Sequence, residues 1–137
     1  MRKFIISIDA GTTSNRSILF DLKGRPVFSS QKEFTQYFPK SGWVEHNPEE
    51  IWRTTLKTLK DVIQKAKKLR GEILNIGITN QRETTVLWDK RTGKPVYNAI
   101  VWQDRRQEEF CAKLRKQNKD TMIFNKTGLL IDSYFSG

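Results

Sequence analysis

The stretch FIISIDAGTTSNRSILF, residues 4–20, decides the fold class of this chain. Residues 4–8 form a nearly continuous apolar run that ends at Asp9, where a small, hydroxyl-rich turn begins. A short apolar run bounded by turn residues is typical of a buried strand. The apolar residues 17–20 then predict a second strand, which returns beside the first.

The strand pattern continues after this hairpin. Residues 21–25 have turn chemistry, and residues 27–34 predict a third strand, so the chain opens with a meander of three antiparallel strands. Further strands are predicted at residues 73–78, 84–88 and 96–101. The apolar character of residues 73–78 predicts that this strand is buried.

Helices are predicted between these strands. At residues 47–50 an asparagine precedes a proline and two acidic residues, which predicts a capped helix start, and the helix should reach about Arg70. Its apolar spacing predicts a buried face formed by Trp52, Leu56, Leu59, Ile63 and Ala66. Two shorter helices are predicted, one capped by Asp104 and reaching about Gln117, and one at residues 120–125. The order of elements predicts a mixed α/β fold.

The charge balance bears on possible partners. The chain has 25 Lys and Arg against 15 Asp and Glu, a net charge of +10, and an excess of this kind favours phosphate backbones. However, many of the basic residues lie on or beside two predicted helices, where we expect solvated faces: Lys57, Lys60, Lys65, Lys67, Lys68 and Arg70, and Arg105, Arg106, Lys113, Arg115, Lys116 and Lys119. We therefore expect no nucleic-acid partner. The alternative is a basic nucleic-acid-binding protein, which steep salt dependence of DNA binding would reveal.

Other composition features exclude several kinds of site. Cys111 is the single cysteine and His46 the single histidine, so an internal disulfide and a Cys/His zinc cluster are excluded. Any metal must be held by oxygen ligands, and we interpret Cys111 as buried packing. The N-terminal apolar run is too short for a signal sequence or a membrane span, which predicts a cytoplasmic protein without a membrane span.

Three residues suggest a site for a small polyol. Arg82 offers a forked set of donors, Glu83 offers acceptors only, and vicinal hydroxyls need both kinds of partner. The indole of Trp102 can cover the carbon face of such a ligand. The alternative is that Arg82 and Glu83 form a solvated pair at a strand edge and that Trp102 belongs to the core.

The turn after the first strand suggests a phosphate site. Small residues and hydroxyls in residues 9–16 let backbone amides approach phosphate oxygens closely, although the turn lacks the lysine and the following helix of a Walker A loop. Asp9 can orient Mg²⁺ directly or through water. The alternative is an ordinary Asp-Gly-Thr turn.

Taken together, several segments closely resemble the FGGY carbohydrate kinases, and among them the members that phosphorylate glycerol. The segments are residues 9–16, 42–46, 76–85, 98–106, 127–129 and 132–137. The resemblance implies the actin-like ATPase (ribonuclease H-like) fold, in which two large domains close on ATP and substrate. We accordingly expect residues 1–137 to be the N-terminal part of the first domain, incomplete, with the second domain absent.

The resemblance also implies roles for individual residues. The residues implied to contact glycerol are Arg82, Glu83, Trp102 and Tyr134. Those implied at the nucleotide phosphates are Thr12, Thr13, Ser14 and Arg16, with Asp9 at the Mg²⁺ site. Two positions depart from the family pattern: Ala10 replaces a frequent glutamine, and Ser133 replaces the usual proline before the tyrosine. Trp43 and His46 belong to a family landmark for which we expect a structural or regulatory role.

The implied reaction is transfer of the γ-phosphoryl group of ATP to a terminal hydroxyl of glycerol, which gives glycerol 3-phosphate. We expect glycerol and ATP/ADP as partners, Mg²⁺ as cofactor, and a homo-oligomer for the full-length protein. The catalytic base is expected outside this chain, because Glu83 is assigned to substrate hydroxyls. The alternative is an inactive truncated fragment or gene remnant with at most weak binding of nucleotide or polyol.

Overall fold

A mixed four-stranded sheet contains the predicted meander. The structure is a computed structural model in which residues 2–135 are described, so Ser136 and Gly137 of the last motif segment lie outside the described residues. The first three strands are β1 (Arg2–Ala10), β2 (Ser14–Asp21) and β3 (Pro26–Glu33). β2 pairs antiparallel with β1 on one side and with β3 on the other. The three-stranded meander is therefore confirmed.

The long helix α1 (Pro48–Lys68) connects β3 to β5 (Gly71–Thr79), which pairs parallel with β1 and gives the strand order β3-β2-β1-β5. The predicted cap is confirmed, because the Asn47 side chain accepts a hydrogen bond of 2.9 Å from the amide of Glu49. The buried hydrophobic cluster between helix and sheet consists of Phe4, Ile6, Ile8, Leu19, Val62 and Ala66.

The buried face of α1 differs from the predicted stripe. Thr54 and Thr58 are buried, whereas Trp52 is 60% exposed. The reason lies on β2, which presents polar side chains to the helix. Asn15 donates to Thr54 Oγ1 at 2.6 Å, and the hydroxyls of Ser17 and Thr58 are 2.9 Å apart. Burial of these polar residues requires partners of the same kind on the helix, so threonines take the positions facing β2.

Strand β5 forms where it was predicted but is largely exposed, so the predicted burial was wrong. In the parallel register Ile76 and Ile78 align with Ile6 and Ile8 of β1, yet they are 48% and 73% exposed. Among the described strands, β5 is an edge strand with a neighbouring strand on one side only, β1, and α1 packs mainly against β2 and β3 on the other side of the sheet centre. An apolar strand sequence therefore did not ensure burial at this edge of the sheet.

The chain divides into two units. Unit 1 consists of Met1–Thr35 and Asn47–Gln81, and unit 2 of Gln36–His46 and Arg82–Gly137. Unit 2 contains β4 (Glu45–His46), β6 (Ala99–Ile100), α2 (Glu108–Lys116) and α3 (Asp120–Thr127). Within residues 2–135, no helix combines the length and apolarity needed to cross a membrane.

Two strands predicted in unit 2 are reduced to short pieces. Residues 84–88 contribute only isolated bridges, from Thr85 to Ile100 and from Trp88 to Pro95, and of residues 96–101 only Ala99–Ile100 is a strand. Pro95 lacks an amide hydrogen and cannot extend a ladder of hydrogen bonds. The helix predicted at residues 120–125 is confirmed and extends to Thr127.

Substitutions of Ser17 on β2 and Thr58 on α1 should have non-additive effects on the free energy of unfolding. We expect Thr58→Val to lower the free energy of unfolding by about 1–3 kcal/mol, because the Ser17 hydroxyl is left buried without its partner. The double variant Ser17→Ala/Thr58→Val should regain part of this loss. Urea unfolding of both single variants and the double variant measures the coupling, and strictly additive losses would contradict this account.

Candidate active site

The hairpin between β1 and β2 is closed by a tight turn. The amide of Gly11 donates to the carbonyl oxygen of Ser14 at 3.0 Å, and a Cβ at Gly11 would lie 2.9 Å from that oxygen. At the base of the turn the Arg16 guanidinium contacts the Asp9 carboxylate at 3.1 Å, with both side chains partly exposed. The hairpin thus presents hydroxyls at its tip, above a partly exposed carboxylate and guanidinium.

This hairpin is fixed to the first turns of α1. The fully buried Asn15 donates through its side-chain amide to the carbonyl oxygen of Ile51 at 2.9 Å and to Thr54 Oγ1 at 2.6 Å. On the other side, Gln31 of β3 donates to the Ser14 hydroxyl at 3.0 Å. The predicted phosphate turn is therefore held by β3 as well as by α1.

The metal site expected at this turn offers one carboxylate, that of Asp9, whose Oδ2 is paired with the Arg16 guanidinium at 3.1 Å. In the described part of the chain there is no group of three or more His, Cys, Asp or Glu residues that could hold a metal ion. Mg²⁺ in nucleotide sites commonly has one or two carboxylates and completes its shell with water and phosphate oxygens. The single carboxylate of Asp9, at the end of a strand, fits this arrangement.

In unit 2 the structure brings together two of the residues expected to contact a polyol. The rings of Trp102 and Tyr134 meet edge to face, with centroids 5.5 Å apart and planes at 65°. Phe135 packs against Tyr134 in the same manner, at 5.0 Å. Trp102 and Tyr134 are both only partly buried, so the pair forms a partly accessible aromatic wall.

Glu83 has an unusual backbone conformation. Its φ is 63°, and the only other described non-glycine residues with positive φ are Arg70 and Asn118, which directly follow the ends of α1 and α2, where this conformation is common. Glu83 instead lies in a turn, where such strain often accompanies function. It lines a groove of about 330 Å³ that is otherwise mainly apolar, and the neighbouring Arg82 is exposed.

A buried ionic cluster lies in the same unit. Arg106 binds Glu45 and Asp104 at 2.8 Å each and is 15% exposed, while the two carboxylates are 2% and 0% exposed. The Trp43 ring covers the guanidinium, with its centroid 3.8 Å from Cζ. Asp104 also accepts from the amide of Val44 at 2.7 Å. The cluster therefore joins the loop before β4 to the segment after β6.

The protonation states of this cluster follow from its hydrogen bonds. Burial by itself raises the pKa of Glu45, but bonds donated by Arg106, Asn98 and Tyr97 outweigh this and leave the pKa below its ordinary value. Asp104 behaves in the same way, since bonds from Arg106 and Val44 overcome its burial and lower its pKa. The bonds to Asp104 and Glu45 raise the pKa of Arg106. All three groups are therefore charged at neutral pH.

This cluster corrects two predictions. Arg106 was assigned to a solvated helix face, but only 15% of its side chain is exposed, and Asp104 was expected to cap the following helix. That helix, α2, begins at Glu108, while Asp104 accepts from the amide and side chain of Arg106. The aspartate is engaged in a turn around Arg106 and is too far back along the chain to cap α2. The sequence offered one weak signal, an acid at position 45 between apolar and aromatic neighbours.

The structure also bears on the predictions made for Cys111 and His46. Cys111 is 6% exposed, which confirms its assignment as packing, and burial raises the pKa of its thiol. His46 is fully buried, with Nε2 2.6 Å from Gln36 Oε1. A buried histidine in this position is consistent with a structural role.

Comparison with known proteins shows the class to which the chain belongs. Residues 4–137 match the N-terminal domain of the FGGY family of carbohydrate kinases. The chain belongs to this family, and the expected actin-like ATPase fold is confirmed by its match to solved members.

Within the family the chain is similar to glycerol kinases. It is 57% identical over 137 residues to the glycerol kinase of Bacillus cereus and 59% identical to that of Sinorhizobium fredii. It spans 28% of the length of each of these relatives. The crystal structure of Plasmodium falciparum glycerol kinase with ADP matches with a TM-score of 0.90 and 38% identity, over 98% of this chain and 27% of that one.

Removal of the Arg106 guanidinium from the ionic cluster should destabilise unit 2 strongly. We expect Arg106→Ala to lower the free energy of unfolding by about 3–5 kcal/mol, because two carboxylates remain buried without their counter-charge. The matched control is Arg25→Ala, which breaks a pair with Asp21 in which the arginine is 71% exposed; it should cost much less than Arg106→Ala, because exposed pairs contribute little. Urea unfolding measures both, and equal losses would refute the assigned importance of Arg106.

Acid should weaken the same cluster. The pKa values of Glu45 and Asp104 lie below the ordinary 4.5 and 3.8. Their contribution to stability is therefore complete above about pH 4.5 and is lost as the pH falls through the lowered values. We expect Glu45→Gln to flatten the fall of the thermal midpoint between about pH 5 and pH 3. The exposed Glu109→Gln is the control, and an identical flattening in that variant would contradict the assignment.

Proposed function

We propose that the protein transfers the γ-phosphoryl group of ATP to a terminal hydroxyl of glycerol and so forms glycerol 3-phosphate. The observation that carries this proposal is the 57–59% identity to glycerol kinases over all 137 residues. The chain also contains a guanidinium and a carboxylate at Arg82 and Glu83 and an aromatic pair at Trp102 and Tyr134, which are the groups that a small polyol needs.

We assign glycerol binding to Arg82, Glu83, Trp102 and Tyr134. The forked guanidinium of Arg82 donates to oxygens of two adjacent hydroxyls, and the Glu83 carboxylate accepts their protons in hydrogen bonds. The positive φ of Glu83 sets the direction in which its Cα–Cβ bond leaves the backbone. The edge-to-face pair of Trp102 and Tyr134 covers the carbon side. Positioning of this kind is the main contribution a protein makes to phosphoryl transfer.

We assign the nucleotide phosphates to Thr12, Thr13, Ser14 and Arg16. The amide of Gly11 is already bonded to Ser14, so the donors to phosphate come from the following amides, the hydroxyls and the Arg16 guanidinium. Asp9 holds Mg²⁺, directly or through water. Mg²⁺ bound to ATP neutralises charge on the phosphate oxygens. The base that accepts the proton of the attacking hydroxyl is assigned to none of these residues.

The same proposal covers organisation and partners. Residues 1–137 are the N-terminal part of the first of two large domains, and the protein acts in the cytoplasm as a homo-oligomer. Its partners are glycerol and ATP/ADP. The domain assignment is supported by the family match over residues 4–137 and by the 28% of the relatives' length that the chain spans.

The test is formation of glycerol 3-phosphate by the protein expressed from its complete reading frame, with ATP and Mg²⁺ varied independently. We expect Arg82→Ala to lower kcat/KM for glycerol about 100-fold, because two charge-assisted hydrogen bonds are lost. Arg91→Ala, which removes another exposed arginine of unit 2, is the matched control and should leave activity unchanged.

A pentulose offered as competing substrate tests the choice of polyol. If the protein phosphorylates the pentulose in preference to glycerol, the proposed substrate becomes the pentulose. Absence of turnover by the unmodified protein would instead support the inactive alternative.

A further inference from the structure

We propose that Ser133 and Arg105 are positioning residues that hold the Tyr134 ring against Trp102 and thereby set the affinity for the polyol. The inference rests on the proposed function, and it adds two residues that are not themselves ligands. Ser133 is 6% exposed, so its side chain is almost entirely covered.

The Ser133 hydroxyl lies at the centre of a small network. It accepts a hydrogen bond from Arg105 Nη1 at 2.9 Å and donates to Glu108 Oε2 at 3.1 Å. Both the donor and the acceptor functions of this hydroxyl are therefore used. A residue without a hydroxyl, such as alanine, cannot join the arginine to the glutamate.

Arg105 holds the same turn at a second point. Its Nη1 contacts Asp132 Oδ1 at 3.0 Å, and that oxygen accepts the amide of Tyr134 at 2.7 Å. The backbone of Arg105 is itself fixed, because its amide donates to the carbonyl oxygen of Gly42 at 2.7 Å. One guanidinium therefore contacts both residues that precede Tyr134.

The far side of the turn is also tied down. Arg115 Nη1 donates to the carbonyl oxygen of Ile131 at 2.7 Å, and the same guanidinium pairs with Glu108. Glu108 thus receives Ser133 on one oxygen and Arg115 on the other. The turn is held by helix α2 as well as by Arg105.

These contacts determine where the Tyr134 ring lies. Trp102 is on the same short segment as Arg105, and the segment between them includes Asp104, which is held in the buried cluster with Arg106. The two partners of the aromatic pair are consequently fixed to one framework by hydrogen bonds on both sides. Loss of the Ser133 link leaves the ring attached but free to tilt, which weakens a contact that depends on ring position.

The experiment compares Ser133→Ala with the unmodified full-length protein. We expect KM for glycerol to rise by about three- to tenfold, while kcat and KM for ATP change by less than about twofold, since one neutral-to-charged link is lost away from the phosphates. Ser133→Thr keeps the hydroxyl and should restore KM. Ser30→Ala is the matched control, because Ser30 also donates to a carboxylate, Asp61, at 2.9 Å but lies in unit 1.

A mutant cycle separates positioning from general destabilisation. In the Tyr134→Ala background there is no ring to hold, so addition of Ser133→Ala should leave KM for glycerol unchanged. A further rise of the same size in that background would overturn the inference. If Ser133→Ala does not fold, Arg105→Ala takes its place, because it removes the single nitrogen, Nη1, that contacts both Asp132 and Ser133.

A spectroscopic measurement keeps this inference separate from the proposed function. The difference in near-ultraviolet circular dichroism between the unmodified protein and Tyr134→Ala contains the signal of the Trp102–Tyr134 pair. Ser133→Ala should reduce the signal toward that of Tyr134→Ala, whereas Ser30→Ala should not. An unchanged spectrum and an unchanged KM would refute the positioning role while leaving glycerol phosphorylation intact. A changed spectrum in a protein that does not phosphorylate glycerol would refute the function and retain the positioning of the ring.

Discussion

The Arg106 guanidinium lies between two buried carboxylates, and the arrangement of unit 2 depends on this interaction. A charge without a partner at this depth would be very unfavourable, so Glu45 and Asp104 must be brought together wherever Arg106 is buried. Glu45 belongs to β4, and Asp104 follows β6, the strand that pairs with it. The cluster thus fixes the start of the segment that includes Arg105, from which the contacts to the turn of Tyr134 extend. The proposed polyol wall is supported by charge as well as by apolar packing.

Much of the fold could be predicted from local sequence, because the signals are local. The apolar run before Asp9, the glycine-containing turns and the Asn47 cap each act within a few residues, and strands β1, β2, β3 and β5 and helix α1 appear where they were expected. The buried face of α1 could not be predicted in this way. Thr58 is buried because of Ser17, which is 41 residues away in the sequence, and helical periodicity carries no information about such a partner.

The same distinction applies to the candidate site. Residue chemistry is the basis on which Arg82, Glu83 and Trp102 are predicted to bind a polyol, since each has groups that a polyol requires, and this assignment stays a prediction. Chemistry alone could not separate the exposed arginine at position 105 from the largely covered one at position 106. The decisive partner of Arg106 is Glu45, 61 residues away, and neighbouring arginines look alike until the tertiary contacts are known. The positive φ of Glu83 likewise belongs to a turn whose conformation could not be predicted from its sequence.

The interleaved path of the chain has a consequence for biosynthesis. Unit 1 is made of two segments, and residues 36–46, which lie between them, belong to unit 2. During synthesis from the N-terminus, β1 to β3 emerge before α1 and β5, so the first sheet stays incomplete until residue 79 has been made. In unit 2, β4 emerges long before its partner strand β6. All of α1 and β5 are synthesised after Glu45 and before Arg106, the residue that pairs with it. Each unit therefore closes late, after the ribosome has produced parts of the other.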